Sequence, residues 1–247
     1  MTWPSPIFFK ICCAGVLLAA APVADAVAAS VTGSIRLMDS RDPNVRRRGD
    51  YSGVVVWLEY AGAPAPPVKP QSVKILQKQK QFVPHIVAIP VGSTVEFPNL
   101  DPIFHNAFSN FSGQPFDVGL YPPGTSQKVR FAREGAVRVF CNIHAAMSAV
   151  IVVVPTSYIA ISAKSGQFSI EGVEPGQYRL RVYHERSSDE TLQKLERKIT
   201  VDGAPVDVGS IIVSESGHIE IPHKNKYGQD YPPVVEDRAT YPAGKNP

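Results

Sequence analysis

Cysteine is scarce in this chain, with 3 Cys among 247 residues. Cys12 and Cys13 fall within an apolar run, residues 11–21, which follows Lys10 and is itself followed by small residues. This order is typical of an export signal, so we expect residues 1–29 to be removed and the protein to reach the periplasm. Cys141 is then the single cysteine of the mature chain, which excludes a disulfide framework within it.

Long hydrophobic runs are missing after the predicted signal, so no transmembrane segment is expected in the mature chain. The formal net charge of +3 is small and gives no support to a nucleic-acid partner. The arginine run at 46–48 is interpreted as a solvated loop, with docking to an acidic partner as the alternative. Long helix-compatible stretches are also few, while 23 Pro and 18 Gly punctuate the chain. Many short strands joined by turns, an all-β fold, are therefore predicted.

Three metal-ligating residue types recur at three-residue spacing around the remaining cysteine: Cys141, His144 and Met147. Val137 and Val139 alternate with polar neighbours before them, which predicts that the sulfur lies on the inward face of a strand as it ends. A thiolate and a thioether combined with imidazole suit copper. Zinc would more often recruit a second cysteine or a carboxylate. The alternative interpretation of Cys141 alone is a buried, inert thiol.

A second candidate ligand, His105, lies upstream of Cys141, beyond a turn rich in Asn, Asp and Pro. The order of motifs is Asn-x-Asp-x-x-x-His-Asn, a Pro-Gly turn, an alternating strand, a Gly turn and then Phe-Cys-x-x-His-x-x-Met. Over residues 72–154 this order resembles the plastocyanin and amicyanin branch of the cupredoxins.

The resemblance implies a Greek-key β-sandwich that binds one mononuclear type 1 (blue) copper ion. His105, Cys141 and His144 would be the strong ligands, Met147 the weak axial ligand, and Asn106 a supporting residue that ties the two ligand loops together by hydrogen bonds.

The implied function is the carriage of single electrons between periplasmic redox proteins of the cytochrome c or dehydrogenase type. Four protein ligands leave no position for a substrate, so no enzymatic activity is expected. An apolar ring around His144, formed by Ile143, Ala145, Ala146, Phe104 and Phe108, would suit brief docking to a redox partner, with ordinary loop packing as the alternative. Copper storage or delivery, or a cell-envelope binding module with a structural copper, remain alternatives.

The rest of the chain carries a second resemblance. Over residues 158–183, Gly-x-Phe-x-Ile followed by Pro-Gly-x-Tyr-x-Leu-x-Val is similar to the carboxypeptidase regulatory-like β-sandwich, which is related in form to transthyretin. Its two opening strands are missing there but occur earlier, at 31–35 and 53–58. We therefore predict one discontinuous sandwich, 30–60 with 156–215, into which the cupredoxin domain is inserted. Two consecutive domains are the alternative, and pairing of the early strands with cupredoxin strands alone would refute the insertion.

Polar residues without periodicity dominate from Gly217 onward, which predicts a flexible tail over 217–247, with a partner-binding strip as the alternative. His184, His218 and His223 are interpreted as solvated side chains. A different possibility for the pair in the tail is that it captures copper for delivery.

Overall fold

The structure, a computed structural model, describes Met1 and residues 28–110, 113–219 and 222–232. Nearly all of the predicted signal segment and the end of the predicted tail lie outside these residues. The described chain forms seventeen strands and two short helices, which confirms the all-β prediction. The strands are β1 (Ala29–Met38), β2 (Val55–Tyr60), β3 (Ser72–Lys74), β4 (Leu76–Lys78), β5 (Gln81–Val83), β6 (Ile86–Pro90), β7 (Thr94–Pro98), β8 (Phe108–Ser109), β9 (Phe116–Asp117), β10 (Ser126–Arg130), β11 (Gly135–Phe140), β12 (Ser148–Val154), β13 (Ile159–Ile161), β14 (Gln167–Val173), β15 (Gly176–Tyr183), β16 (Arg197–Val201) and β17 (Val206–Ser214).

The two helices are α1 (Pro43–Arg48) and α2 (Asp189–Gln193). Helix α1 contains the arginine run that was expected to be a loop. It forms because the Asp42 side chain accepts a hydrogen bond from the Asn44 amide at its start, while Gly49, at φ 63°, ends it in the left-handed conformation. In the described part of the chain, no helix is both long and apolar enough to cross a bilayer.

Residues 72–154 build one hydrophobic core between two larger sheets, beside the small β4–β5 hairpin. One sheet has the strand order β6-β12-β11-β8-β9 and the other the order β10-β7-β3. Alternating side chains of β7 and β11, including Val95, Phe97, Val137 and Val139, meet in this core and are fully buried. Cys141 belongs to the same cluster, so the candidate site is built on the edge of a packed interior.

The remaining strands form two further sheets, with the orders β14-β1-β17 and β13-β2-β15-β16. They enclose a second core that includes Ile35, Leu58, Tyr178 and Leu180. Strands β1 and β2, which precede residue 61, pair with strands that follow residue 158, and in the described chain they pair with none from 72–154. The pairing that would have refuted an insertion is therefore not found. The domain limits and the carboxypeptidase regulatory-like likeness stay predictions.

A third apolar cluster joins the two halves. Val55 and Trp57 of β2 pack with Val150, Val152 and Val154 of β12. Strand β12 is thus buried on both faces, which explains why it reads as a continuous apolar run instead of an alternating one. Strand β12, which follows the loop 141–147, is consequently packed on both sides.

His184 is buried, so the prediction that it is solvated is wrong. The residue is 2% exposed, and its Nε2 lies 2.8 Å from Oε1 of Glu215. Arg186 donates to the same oxygen at 3.0 Å. Burial favours the neutral form of Glu215, but the hydrogen bonds from His184, Arg186 and Ser40 outweigh it and lower the pKa of this carboxyl to about 2.

Candidate metal centre

The loop 141–147 connects β11 to β12, which are paired so that Phe140 faces Ser148. The Cys141 amide donates to the Met147 carbonyl at 3.1 Å, and the Met147 amide donates to the His144 carbonyl at 3.1 Å. These bonds fold the loop back over the end of β11. The alternation predicted for this strand is observed, and it directs the buried Cys141 side chain into the core.

His105 reaches the same point from the segment between β7 and β8. Its amide donates to the Tyr121 carbonyl at 3.2 Å, and the Tyr121 amide donates back to the His105 carbonyl at 3.0 Å. The Tyr121 hydroxyl in turn donates to the Phe97 carbonyl at 2.9 Å. This segment is therefore fastened to β7, and the His105 side chain is completely buried.

The three side chains predicted as strong ligands converge. Sγ of Cys141 lies 3.8 Å from Nδ1 of His105 and 3.6 Å from Nδ1 of His144. All three candidate ligand atoms lie within 4.8 Å of one another. Metal bonds of about 2.3 Å to sulfur and about 2.0–2.1 Å to imidazole nitrogen place two ligands of one ion at such separations. The residues present thus fit a single ion bound by one sulfur and two nitrogens.

Asp101 contacts a proposed ligand, His105, which the sequence analysis did not foresee. Its Oδ2 lies 2.7 Å from Nε2 of His105, and both side chains are buried. The carboxylate also accepts hydrogen bonds from the amides of Gln79 and Lys80. With Nε2 carrying the proton that Asp101 accepts, the Nδ1 lone pair of His105 faces the cysteine and is free to bind a metal. The sequence motif shows the four-residue spacing from Asp101 to His105, but it does not show that the two side chains are hydrogen-bonded to each other.

Burial governs the protonation of the site. It lowers the pKa of His105, although Asp101 opposes the shift, and together with the nearby His105 it lowers the pKa of His144 to about 4. Both imidazoles are therefore neutral at pH 7, as metal ligands must be. Burial also raises the pKa of the Cys141 thiol, while the backbone amides of Ile143, Asn106 and His144 counteract it by hydrogen bonding to the sulfur. A bound cation would complete the stabilisation of the thiolate.

Asn106 makes hydrogen bonds through both its side chain and its main chain. Its side-chain amide donates to Asp117 Oδ1 at 2.8 Å and to the Gly119 carbonyl at 2.9 Å, and neither acceptor belongs to the loop 141–147. Its backbone amide is the group that bonds to the Cys141 sulfur. The direct connection between the two ligand segments is thus made by the Asn106 main chain.

Met147 is completely buried in the same apolar cluster as Cys141. Its main chain contacts both other ligand residues of the loop, as described above, whereas its role as the weak axial ligand stays a prediction.

His144 is half-buried, so its ring lies where the site approaches the surface. Phe104 and Ile143 are 54% and 44% exposed, which agrees with the apolar ring expected here. Phe108 is 1% exposed, packs against Phe140 and takes no part in that surface. Leu100 and Leu120, which the sequence analysis did not include, are exposed on the loops next to His105.

No family model and no curated protein matches the chain. Among solved structures, it is similar to the Cu-containing nitrite reductase of Thermus scotoductus SA-01, with 27% identity over 39% of this chain and a TM-score of 0.33. The match covers 25% of that reductase. A purple cupredoxin from Nitrosopumilus maritimus is 23% identical over 33% of this chain and 99% of its own, with a TM-score of 0.31. Amicyanin from Paracoccus versutus is 18% identical over 39% of this chain and 97% of its own, with a TM-score of 0.32.

Proposed function

We propose that this chain is an exported type 1 copper protein that carries single electrons between periplasmic redox proteins. The observation that supports this most directly is the buried Cys141 sulfur lying 3.6 and 3.8 Å from the Nδ1 atoms of two histidines. One thiolate and two imidazoles with a weak thioether, here Met147, form the ligand set of blue-copper electron-transfer sites. Copper held there would supply one-electron chemistry by alternating between its cuprous and cupric states.

The role of the protein in this proposal is to fix the positions and orientations of the ligand side chains. Asp101 fixes the tautomer and orientation of His105, and the two backbone hydrogen bonds within the loop 141–147 fix the positions of Cys141 and Met147. Four protein ligands leave no open position at which a substrate could bind. This arrangement favours electron carriage over catalysis.

The partner we propose is another redox protein, such as a c-type cytochrome or a dehydrogenase. The exposed apolar side chains of Phe104, Ile143, Leu100 and Leu120 lie on loops that carry or adjoin the ligands. A small apolar surface beside the partly exposed His144 suits an interface that forms and separates quickly.

For the other half of the chain we propose that residues 30–60 and 156–215 form one carboxypeptidase regulatory-like sandwich with the cupredoxin segment inserted between them. The pairing of β1 with β14 and β17, and of β2 with β13 and β15, supports this order. We assign this sandwich a docking or scaffolding role.

The test is the visible and EPR spectrum of residues 30–247 loaded with Cu(II). We expect an intense thiolate-to-copper band and narrow copper hyperfine splitting, both lost in Cys141→Ser. Met147→Leu should keep the band but change its position, whereas Met38→Leu, a matched change at an exposed methionine, should leave the spectrum unaltered.

A weak, ordinary Cu(II) spectrum that is unchanged in Cys141→Ser would contradict the proposal. Reversible reduction and reoxidation without loss of copper is expected of a carrier. Rapid exchange of the copper with a chelator would favour storage or delivery, and a copper that is not reducible in the physiological range would favour a structural role.

A further inference from the structure

Residues 222–232, which we call the C-terminal strap, lie against the loop that carries Cys141 and His144. The His223 ring stacks on Phe140, with ring centroids 3.8 Å apart and planes inclined by 24°. Nε2 of His223 lies 2.7 Å from the Ala145 carbonyl oxygen. The strap is therefore in contact with both the strand that leads into the ligand loop and the loop itself.

Tyr231 makes the most direct contact with a proposed ligand residue. Its hydroxyl donates a hydrogen bond of 2.8 Å to the Cys141 carbonyl. The tyrosine ring also meets the His223 ring edge-on, with centroids 5.2 Å apart. The two aromatic residues of the strap thus support each other while they hold the start of the ligand loop.

Lys226 connects the two segments that bear the proposed ligands. Its amide donates to Asn142 Oδ1 at 3.0 Å, and Asn142 directly follows Cys141. Its ammonium group lies 2.7 Å from Oδ2 of Asp117, whose other oxygen accepts from the Asn106 side chain. Asn106 directly follows His105. The side chain of Asn106 is therefore connected to the cysteine loop through Asp117 and Lys226.

We propose that the C-terminal strap is a structural part of the metal site, with Lys226 as a positioning residue that holds the two ligand segments at their distance. Tyr231 and His223 position the loop 141–147 in the same way. The inference rests on the proposed function, because positioning matters for a metal that these segments bind. Its consequence is slower copper loss and a more constrained ligand geometry than the cupredoxin segment has without the strap.

The expected loss of copper binding can be estimated from how exposed the strap's contacts are to water. The side chains of Lys226 and Asp117 are 21% and 40% exposed, so their ion pair is partly screened by water. Loss of such an ion pair is expected to change the copper-binding equilibrium by about 2- to 5-fold. Removal of the whole strap eliminates three hydrogen bonds to the ligand loop, each of modest net worth. Loss of all three hydrogen bonds is expected to change the same copper-binding equilibrium by about tenfold or more.

The experiment compares Lys226→Met with Lys224→Met. Lys224 lies in the same strap, but its ammonium group pairs with Asp230 inside the strap and not with a ligand segment. Copper loss to an excess of chelator and the Cu(II) EPR spectrum are measured for both. We expect faster loss and a changed spectrum in Lys226→Met, in Tyr231→Phe and in a chain ending at residue 219, with Lys224→Met unchanged.

Hydrogen exchange on the metal-free protein provides a readout that does not depend on copper. The amides of Cys141 and Met147 are both hydrogen-bonded within the loop, so loosening of the loop accelerates their exchange. We expect faster exchange in Lys226→Met and Tyr231→Phe than in Lys224→Met. Equal exchange and equal copper loss in all of these variants would overturn the inference. Lack of a thiolate-copper spectrum in the full chain would instead contradict the proposed function, and exchange would still decide whether the strap holds the loop. If the shortened chain does not fold, the point variants decide.

Discussion

Replacing Asp101 with asparagine is expected to weaken copper binding without removing any ligand. Asp101 is 4% exposed and accepts hydrogen bonds from two backbone amides and from Nε2 of His105. Asparagine has nearly the same shape, but its NH₂ group is a donor; it must face either the Gln79 amide, at the position of Oδ1, or both the Lys80 amide and Nε2 of His105, at the position of Oδ2. Leaving one buried donor without a partner costs about 1–3 kcal/mol of stability. If the donor is Nε2 of His105, copper affinity falls by about 10- to 100-fold.

Copper affinity is measured by competition with a chelator of known affinity, and stability by urea unfolding of the metal-free chain. Asp50→Asn is the matched control, because Asp50 also accepts a backbone hydrogen bond, from Ser52, but at an exposed turn outside residues 72–154. It should leave copper affinity unchanged. Loss of stability in Asp101→Asn with unchanged copper affinity and spectrum would refute the reasoning, since Asp101 would then support the fold but not His105.

Three further outcomes are expected from urea unfolding of metal-free variants. The hydrogen bond to Glu185 raises the pKa of His85 above its ordinary 6.5, so this pair stabilises the fold fully below pH 6.5 and loses that effect as the pH rises through the raised pKa. His85→Ala should therefore cost more stability at pH 6 than at pH 9. An equal loss at both pH values would contradict this. Leu58→Ala, in the core of the sandwich outside 72–154, should cost about 2–5 kcal/mol while the copper spectrum of the folded protein stays unchanged. Gly166→Ala would place Cβ in steric clash with the backbone carbonyl oxygen of Ile35 and should destabilise the fold far more than Gly209→Ala, where φ is similar but the space is open. Equal losses would show that the backbone conformation alone sets the cost.

The ligand loop was predictable because its determinants are local. Cys141 and His144 are three residues apart in the connection between two paired strands, so alternation before Cys141 and the shortness of the loop suffice to bring their side chains together. His105 could be predicted as a further ligand because a strand followed by a turn implies that the chain returns toward the core. The all-β prediction succeeded for a similar reason, since proline, glycine and alternation act within a few residues.

The remaining features depend on partners that lie far away in sequence. Asp101 is held by amides of the β4–β5 turn, about 20 residues earlier. His184 was predicted to be solvated because its partner, Glu215, lies 31 residues later in the sequence. The hydrogen bond to Glu215 offsets the cost of burying the imidazole. The contacts of residues 222–232 could not be predicted, because polar composition says nothing of the surface formed by β11 and the loop after it, on which these residues lie. In each case the missing information is a long-range contact.

The pairing of β1 with β17 has a consequence for the order in which the molecule assembles. Ile35 faces Ile211 in this pairing, so the first strand can pair with β17, the last strand of the described chain, only after residues 206–214 have been synthesised. All strand partners within residues 72–154, by contrast, are available once that segment has been made. Closing the shorter loops costs less chain entropy, so the segment with the ligand residues can fold first and the two ends of the chain join around it afterwards. Residues 222–232 follow β17 in the chain, so they can cover the loop 141–147 only after β17 has been synthesised.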